Sequence, residues 1–513
     1  MSLLRKARVA NQLVLDTLRT CIPAALATKR KSIILPAGSE KSAIQVRVSD
    51  RVTGLISKRF LSFTVDIAQV VGGKFWDQGG GVDMVPGGSS TVIVYDFGRP
   101  RLKKLVQELS PAYLRIGGTA SDEVFYDLGD SPGSPPAPYK YTFTWDQWNS
   151  VNQFAQETGS EVVFTLNAGQ GPRDRNGRWR TDQAYHLIVD CVENCFPVTA
   201  WSMGNEPNLF PFAHDLWLTM GQYAQEYAEL KALLKEIMPG ARLLGPSSAF
   251  WPVIGEMLPI LPRFLEQAGR WLDVVTWHYY PQQSRRSPIA VRRASADWML
   301  EPAFLDETTR WAASVEHLRQ QYAPQAEVWL EETGNAQCGG EPRLSERFIA
   351  GFWWLDLLGS LARRGQQVVA RQNLSGADYS LIRDSDLDPN PDYWNSLLWN
   401  RLMGEIVYGV ELSEPRPDLR VYAHCTRDGA PGSIAVLAMN INRQESQLLD
   451  FGISPLDIYL CTADDLLGRE VLFNGRVLAA RPDGSVPEFE PVIVTNGLVR
   501  LPPVSYAFVI MPG

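Results

Sequence analysis

Histidine is scarce in this chain and cysteine is unpatterned. Five His are scattered over 513 residues with no HExxH pair, so no catalytic metal is expected. The six Cys, at positions 21, 191, 195, 338, 425 and 461, form no CxxC pair and no zinc spacing. Cys425 and Cys461 remain one candidate disulfide. No apolar run approaches the roughly 18 residues of a membrane span, so no integral membrane segment is expected. Positive charge is not in excess either. The 49 Lys and Arg face 57 Asp and Glu, and a net charge of -8 argues against nucleic acid as a partner. An uninterrupted leader is also missing. Arg5, Lys6 and Arg8 open the chain and Ala25-Leu26-Ala27 resembles a cleavage site, but Asp16 and Arg19 break the apolar stretch that a signal needs. We read residues 1–31 as an amphipathic helical extension and expect a soluble protein, cytoplasmic rather than secreted.

Composition is that of a globular protein, 45% hydrophobic and 21% charged. The length accommodates one large barrel and a smaller domain. Sixteen Trp and seventeen Tyr are many. Most are expected in the core; any left exposed in a cleft would offer a flat apolar face to a sugar ring.

Two stretches organise the chain. Val198 to Met203 is an apolar run that ends in Gly204-Asn205-Glu206-Pro207. Val328 to Leu330 is another and ends in Glu331-Glu332-Thr333. A carboxylate at the C-terminal tip of a parallel strand is where a (β/α)8 barrel places its chemistry. Two such carboxylates on different strands meet the requirement of glycosidic bond cleavage. Adjacent residues on a strand face opposite ways, so one of Glu331 and Glu332 is expected in the barrel mouth and the other in a structural role. Asn205 could donate an amide N–H to a sugar hydroxyl, and Pro207 helps to end its strand.

The order of elements fits that reading. Phe60 to Asp66 reads as a strand ending in a carboxylate, and Gly72 to Ser90 as a long Gly-rich loop. Helices are expected at Arg101–Leu109, Trp145–Glu157, Asp182–Val192, Leu216–Ile237, Pro262–Ala268, Glu307–Gln320, Arg343–Arg363 and Tyr393–Met403. Apolar strands alternate with them, which makes about eight β-then-α units. After Gly404 short β-like runs follow, punctuated by Asp, Gly, Pro and Asn, as in a sandwich. The expected organisation is an extension (1–31), strands joining the β-sandwich (32–57, including Ile33-Ile34-Leu35), a catalytic (β/α)8 TIM barrel (58–404) and a second, smaller all-β sandwich domain (405–513). Arg173, Arg175, Arg178 and Arg180 form a local basic cluster, read as a solvated loop.

Several motifs together carry a family resemblance. They are Leu61-Ser-Phe-Thr-Val-Asp66, Ser110-Pro-Ala-Tyr-Leu-Arg-Ile-Gly-Gly-Thr119, Trp201-Ser-Met-Gly-Asn-Glu-Pro-Asn208, Val275-Thr-Trp-His-Tyr-Tyr280 and Leu330-Glu-Glu-Thr333. Ala350-Gly-Phe-Trp-Trp-Leu-Asp356, Arg371-Gln372 and Pro391-Asp-Tyr-Trp394 extend it. On these residues the chain resembles glycoside hydrolase family 79, the heparanase-like β-glucuronidases. The resemblance implies a retaining exo-β-glycosidase, with Glu206 as acid/base and Glu332 as nucleophile. It puts Glu331 where the family usually has Gly. It implies that Asp66, Thr119, Asn205, His278, Tyr280, Gln372 and Tyr379 contact the sugar or support the nucleophile, with no cofactor and no metal. For His278 a buried structural role stays open beside substrate contact.

Departures from the family bear on the substrate. In Asn335-Ala-Gln-Cys-Gly-Gly340, Gln337 stands in place of a Tyr and Cys338 in place of the first residue of a Gly run whose N–H groups hold a uronic carboxylate. Gly339 and Gly340 remain. Cys disfavours positive φ, so a changed loop is expected. Ala120 replaces a Lys used for sulfated chains. The expected substrate is a β-glycoside, either a glucuronide of a small aglycone or an oligosaccharide end. The alternatives are a β-glucosidase or diglycosidase acting on a neutral sugar and, more distantly, a non-catalytic carbohydrate-binding protein. A thiol hydrolase using Cys338 would need a His beside it, and nothing in the sequence pairs them.

Overall fold

The computed structural model describes residues 43–76, 89–256 and 258–513. Eight parallel strands form the first domain: β1 (Leu61–Asp66), β2 (Ala112–Gly117), β3 (Ser160–Leu166), β4 (Val198–Met203), β5 (Arg242–Trp251), β6 (Val274–Tyr279), β7 (Glu327–Thr333) and β8 (Val368–Arg371). Each pairs with its sequence neighbours and β8 returns to β1, so the sheet closes. Helices Pro100–Leu109, Trp145–Thr158, Asp182–Glu193, Met220–Ile237, Leu261–Ala268, Pro302–Tyr322, Ala350–Arg363 and Pro391–Leu402 follow the strands in turn. This is the (β/α)8 barrel that the β-then-α rhythm predicts. Its floor is plugged by Tyr113, Val163, Ala200, Leu244, Val274, Trp329 and Val368, one side chain from each of seven strands. Polar side chains therefore collect at the opposite, C-terminal end.

Two helices start later than the sequence suggests. Thr219 caps the fourth helix by accepting from the Gln222 N–H at 3.2 Å, which leaves Leu216 to Leu218 in the loop. Arg343 has φ 63°, a left-handed conformation that a right-handed helix cannot include, and the seventh helix begins at Ala350. That seventh helix is apolar on every side because it lies between the barrel and the second domain. Phe348 and Phe352 pack on Tyr506, and a Cβ at Gly359 would collide with the Tyr422 ring. Its one buried charge, Asp356, accepts from Arg420 Nε at 2.7 Å and from the Tyr422 hydroxyl at 2.6 Å.

The second domain is all-β. Strands 403–412, 419–426, 434–440 and 505–511 pair antiparallel in series. Ile44–Leu55 pairs antiparallel with Met403–Leu412 and parallel with Gln447–Asp450. Ile44, Val46, Leu419, Val436, Leu449, Val499 and Val509 form its core. The expected strand at Ile33-Ile34-Leu35 and the extension 1–31 lie outside the described residues, as does the middle of the Gly-rich loop. The described ends of that loop, Lys74–Trp76 and Ser89–Thr91, pair with each other.

Cys425 and Cys461 are both free thiols, which corrects the candidate disulfide. Cys461 is buried beside Tyr506, and Cys425 accepts from the Ile406 N–H across to a different strand. The basic cluster also differs from expectation. The Arg173 side chain is buried, its guanidinium paired with Glu226 at 2.5 Å and donating to the Ala168 carbonyl at 2.8 Å. It braces the loop after β3, whereas Arg178 and Arg180 are exposed.

Candidate active site

Seven of the eight strand ends deliver side chains to one buried polar centre. Just past β4, Gly204 takes φ 76°, and a Cβ there would meet the Tyr223 hydroxyl at 2.7 Å, so only Gly fits. Asn205 follows. Its N–H donates to Asp122 at 2.9 Å, and its Oδ1 accepts from Arg115 at 2.8 Å. Because Arg115 can only donate, the Asn205 amide nitrogen is left for another partner. Glu206 has φ 55°, and its N–H donates to the Ser247 carbonyl of β5 at 3.2 Å. Its carboxylate keeps some exposure to the mouth, and Oε1 lies 3.2 Å from His278 Nδ1.

Across the mouth, β7 carries a bulge. Trp277 of β6 faces Leu330, and the next residue, His278, faces Glu332, so Glu331 is the extra residue. Strict alternation would point Glu331 and Glu332 to opposite faces. The bulge instead turns both toward the barrel axis, a departure from the sequence expectation. Glu332 accepts from the Tyr280 hydroxyl at 2.6 Å and from Arg115 Nη1 at 2.8 Å. Glu331, deeper, accepts from Ser247 Oγ at 2.6 Å and lies 3.3 Å from Arg115 Nε. One ring nitrogen of His278 and one oxygen each of Glu206 and Glu332 lie within 4.8 Å of one another. That spacing would admit a metal ion. Arg115 and a protonated His278 already place positive charge there, which opposes a further cation.

The electrostatics follow from burial and pairing. Burial pushes the Glu332 carboxyl up, but the His278 and Arg115 charges and the hydrogen bonds from Tyr280 and Arg115 outweigh it and hold it below the usual range. For Glu331 burial is outweighed by Arg115, His278 and Ser247, which bring it to about 2. Burial would lower His278, yet the Glu332 charge with Glu206 and Glu331 lifts it to about 9.

Asp66 ends β1 and caps the short helix behind it through the Ala68 N–H at 2.9 Å. A Cβ at Gly118 would strike its carboxylate, so the Gly-Gly pair before Thr119 lets Asp66 sit at the rim. Thr119 itself is exposed at the start of the next turn. Gln372 bonds the Thr64 hydroxyl and donates to Asp66 at 3.4 Å. The Tyr379 ring lies 6.3 Å from that of Tyr280.

Burial and then the nearby Glu332 charge raise Asp66 to about 7, against partial relief from Ala68, Arg115 and Gln372. A carboxyl raised in the folded state contributes stability below its unfolded value near 4, and that contribution is lost as pH rises through about 7. Asp66→Asn is therefore expected to change the melting temperature little at pH 4. At pH 8 it should raise stability by on the order of 1–4 kcal/mol. Calorimetry at the two pH values checks this, and an equal difference at both would refute it.

The loop after β7 keeps a left-handed course, with φ 58° at Cys338, 81° at Gly339 and 84° at Gly340. Cys338 thus adopts the positive φ that its side chain disfavours. The reason lies in buried Arg286, which donates to the Gly340 carbonyl at 2.6 Å and the Cys338 carbonyl at 3.4 Å and pairs with Asp378 at 2.6 Å. The Gly339 carbonyl accepts from the Asp378 N–H at 2.8 Å. Gln337 is held by Gln283 at 3.0 Å. The Cys338 thiol is raised to about 11, by burial first, and has no His partner here.

Arg115 was overlooked in the sequence. A signal was available: it is the one charge in Ala112-Tyr-Leu-Arg-Ile-Gly117, a strand buried throughout, and a buried charge requires partners. Asp122 and Ser247 carried no comparable signal, since both act through loops and register.

Residues 74–359 match the family model described as "Glycosyl hydrolase family 79, N-terminal domain". The protein is a glycoside hydrolase. More than half of the chain lies within that match, and the chain belongs to glycoside hydrolase family 79. It is 29% identical to heparanase-like protein 1 of Arabidopsis thaliana over 84% of this chain and 87% of the relative. It is 28% identical to baicalin-beta-D-glucuronidase of Scutellaria baicalensis, over 83% and 86%. An alpha-L-arabinofuranosidase from Thermotoga maritima shares the fold, with TM-score 0.62 at 15% identity, over 91% of this chain and all of that one. Among the described residues no helix is long and apolar enough to cross a membrane.

Proposed function

We propose that the protein is a retaining exo-β-D-glucuronidase. The observation that carries this reading is the approach of Glu206 and Glu332, with one oxygen of each within 4.8 Å. A short separation belongs to double displacement, because inversion needs room for a water between the carboxyls. In the first half-reaction a Glu332 oxygen bonds to the anomeric carbon, the glycosidic C–O bond breaks, and Glu206 gives its proton to the leaving oxygen. In the second, Glu206 takes a proton from water, the resulting hydroxyl bonds to that carbon, and the Glu332 ester bond breaks. Arg115 and Tyr280 keep Glu332 ionised. The Asn205 amide nitrogen, left over when Oδ1 accepts from Arg115, would donate to the hydroxyl next to the reacting carbon.

The glucuronide preference draws on the Cys338-Gly339-Gly340 turn. Three successive left-handed residues point their carbonyls one way and their N–H groups the other. The carbonyls are held by Arg286, Ser284 and Asp378. The three N–H groups have no partner among the described residues, which suits a carboxylate. Trp76 packs directly on Gly339, which supports a closed end to the cleft and hence exo action. Baicalin-beta-D-glucuronidase, by its name, acts on a glucuronide of the same kind.

Initial rates on nitrophenyl β-glucuronide and nitrophenyl β-glucoside test the sugar. A glucuronide preference is expected. A glucoside preference would instead make Gln337 a neutral hydrogen-bonding partner and the protein a β-glucosidase or diglycosidase. Proton NMR of the first turnover tests the stereochemistry: the β-anomer should appear before the α, and an initial α-anomer would overturn the retaining mechanism.

A further inference from the structure

We propose that Glu331 is a positioning residue that pins a proton on His278 Nε2 and, through its charge, keeps the proton shared by His278 Nδ1 and Glu206 bound. This rests on reading Glu206 as the acid/base.

The geometry is a row of three groups. Glu206 Oε1 lies 3.2 Å from Nδ1 on one side of the imidazole. Glu331 Oε2 lies 3.8 Å from Nε2 on the other. The ring is fully buried. If Nε2 carried a lone pair, it would face a carboxylate across a gap too short to hold a water, two acceptors opposed. A proton on Nε2 turns the same pair into an attraction. The Nε2–H tautomer is then set by Glu331, and Nδ1 alone exchanges a proton with Glu206. A buried carboxylate that orients a histidine in this way is a known device of hydrolases built on other folds.

Glu331 is itself held in place. Ser247 Oγ donates to it, and the Ser247 carbonyl accepts the Glu206 N–H, so one residue of β5 registers both ends of the row. Arg115 keeps Glu331 ionised. The charged groups facing His278 are Glu206 from the β4 tip, Glu331 and Glu332 from β7, and Arg115 from β2. Burial, and among these charges Arg115 alone, disfavour the bound proton. The raised His278 value of about 9 agrees with a proton held tightly there. While the proton stays on the pair, Glu206 can act as acid.

Glu331→Gln keeps the shape and removes the charge. Histidine-labelled NMR of the full protein reads the ring directly, with His278 assigned by its loss in His278→Asn. In the unmutated protein one histidine should show Nε2–H and stay protonated through pH 8. In Glu331→Gln its midpoint should fall by roughly 1–2 pH units, and the alkaline limb of kcat/KM should move down with it. Glu331→Asp keeps the charge and should restore most of both. A purely structural role would lower activity without moving the limb. An unchanged midpoint in Glu331→Gln would overturn the proposal. Should that variant not fold, the unmutated spectrum decides, since a His278 that titrates below pH 7 also overturns it. The histidine titration needs no turnover. Loss of the glycosidase reading, seen as full activity of Glu206→Gln on a glycoside with a poor leaving group, is therefore a separate result.

Discussion

Glu332→Gln is expected to lower kcat/KM on a nitrophenyl β-glycoside by on the order of 10^4-fold or more, while the sugar product still binds. The amide has no negative charge to attack with, yet its shape is that of the acid. In the native centre Glu332 accepts from Tyr280 and Arg115, at opposite oxygens. A glutamine can turn its oxygen to Arg115, which only donates, and its NH2 to the Tyr280 hydroxyl, which can also accept. The cost is the loss of charge assistance in two buried hydrogen bonds, about 1–3 kcal/mol, too little to unfold a protein of this size. Activity and fold thus separate, and calorimetric titration with product distinguishes them. Retention of activity within tenfold would move the nucleophile elsewhere in the centre. Glu206→Gln should behave differently. It removes proton donation, worth on the order of 10^2–10^4-fold, and the loss should shrink for a leaving group as good as nitrophenol.

The sequence disclosed the barrel because several of its strands are apolar runs that close on Gly, Asn or a carboxylate, as at Gly117, Asn167, Gly204 and Glu332. Such runs suffer little from tertiary context. Helix starts were less legible, since the Thr219 cap and the left-handed Arg343, which lies in the turns before Ala350, are features that the apolar period does not register. The candidate site splits in the same way. Glu206 and Glu332 stand out because each closes an apolar strand. The orientation of Glu331 did not, because a bulge is a property of β7 against β6 and β8, whose registers both skip at that residue. Side-chain alternation is a sound rule within a ladder and fails where the ladder slips. The Cys338 backbone was misjudged for a related reason. Intrinsic preference argues against positive φ, but Arg286, distant in sequence, holds the neighbouring carbonyls and overrides it.

The other large effect belongs to Arg115. One guanidinium donates hydrogen bonds to Glu332 at 2.8 Å and Asn205 at 2.8 Å and forms an ion pair with Glu331 at 3.3 Å. Arg115→Met removes the fork and leaves two buried carboxylates with less compensation. Breaking a buried pair from one side costs about 3–5 kcal/mol, so a clear fall in melting temperature is expected. Catalysis should shift as well as weaken. With His278 as its remaining cationic neighbour, Glu332 should hold its proton to higher pH, and the acid limb of kcat/KM should rise by roughly 1–3 pH units. Arg115→Lys keeps a charge but lacks the planar fork, so it should recover the limb better than the stability. The decisive measurement is a double-mutant cycle. Glu331→Gln removes one of the charges that Arg115→Met strands, so the double variant should be more stable than the sum of the single losses by about 1 kcal/mol or more. Simple additivity would mean that Arg115 acts on Glu332 and Asn205 alone, and that Glu331 is held by Ser247 and His278 without it.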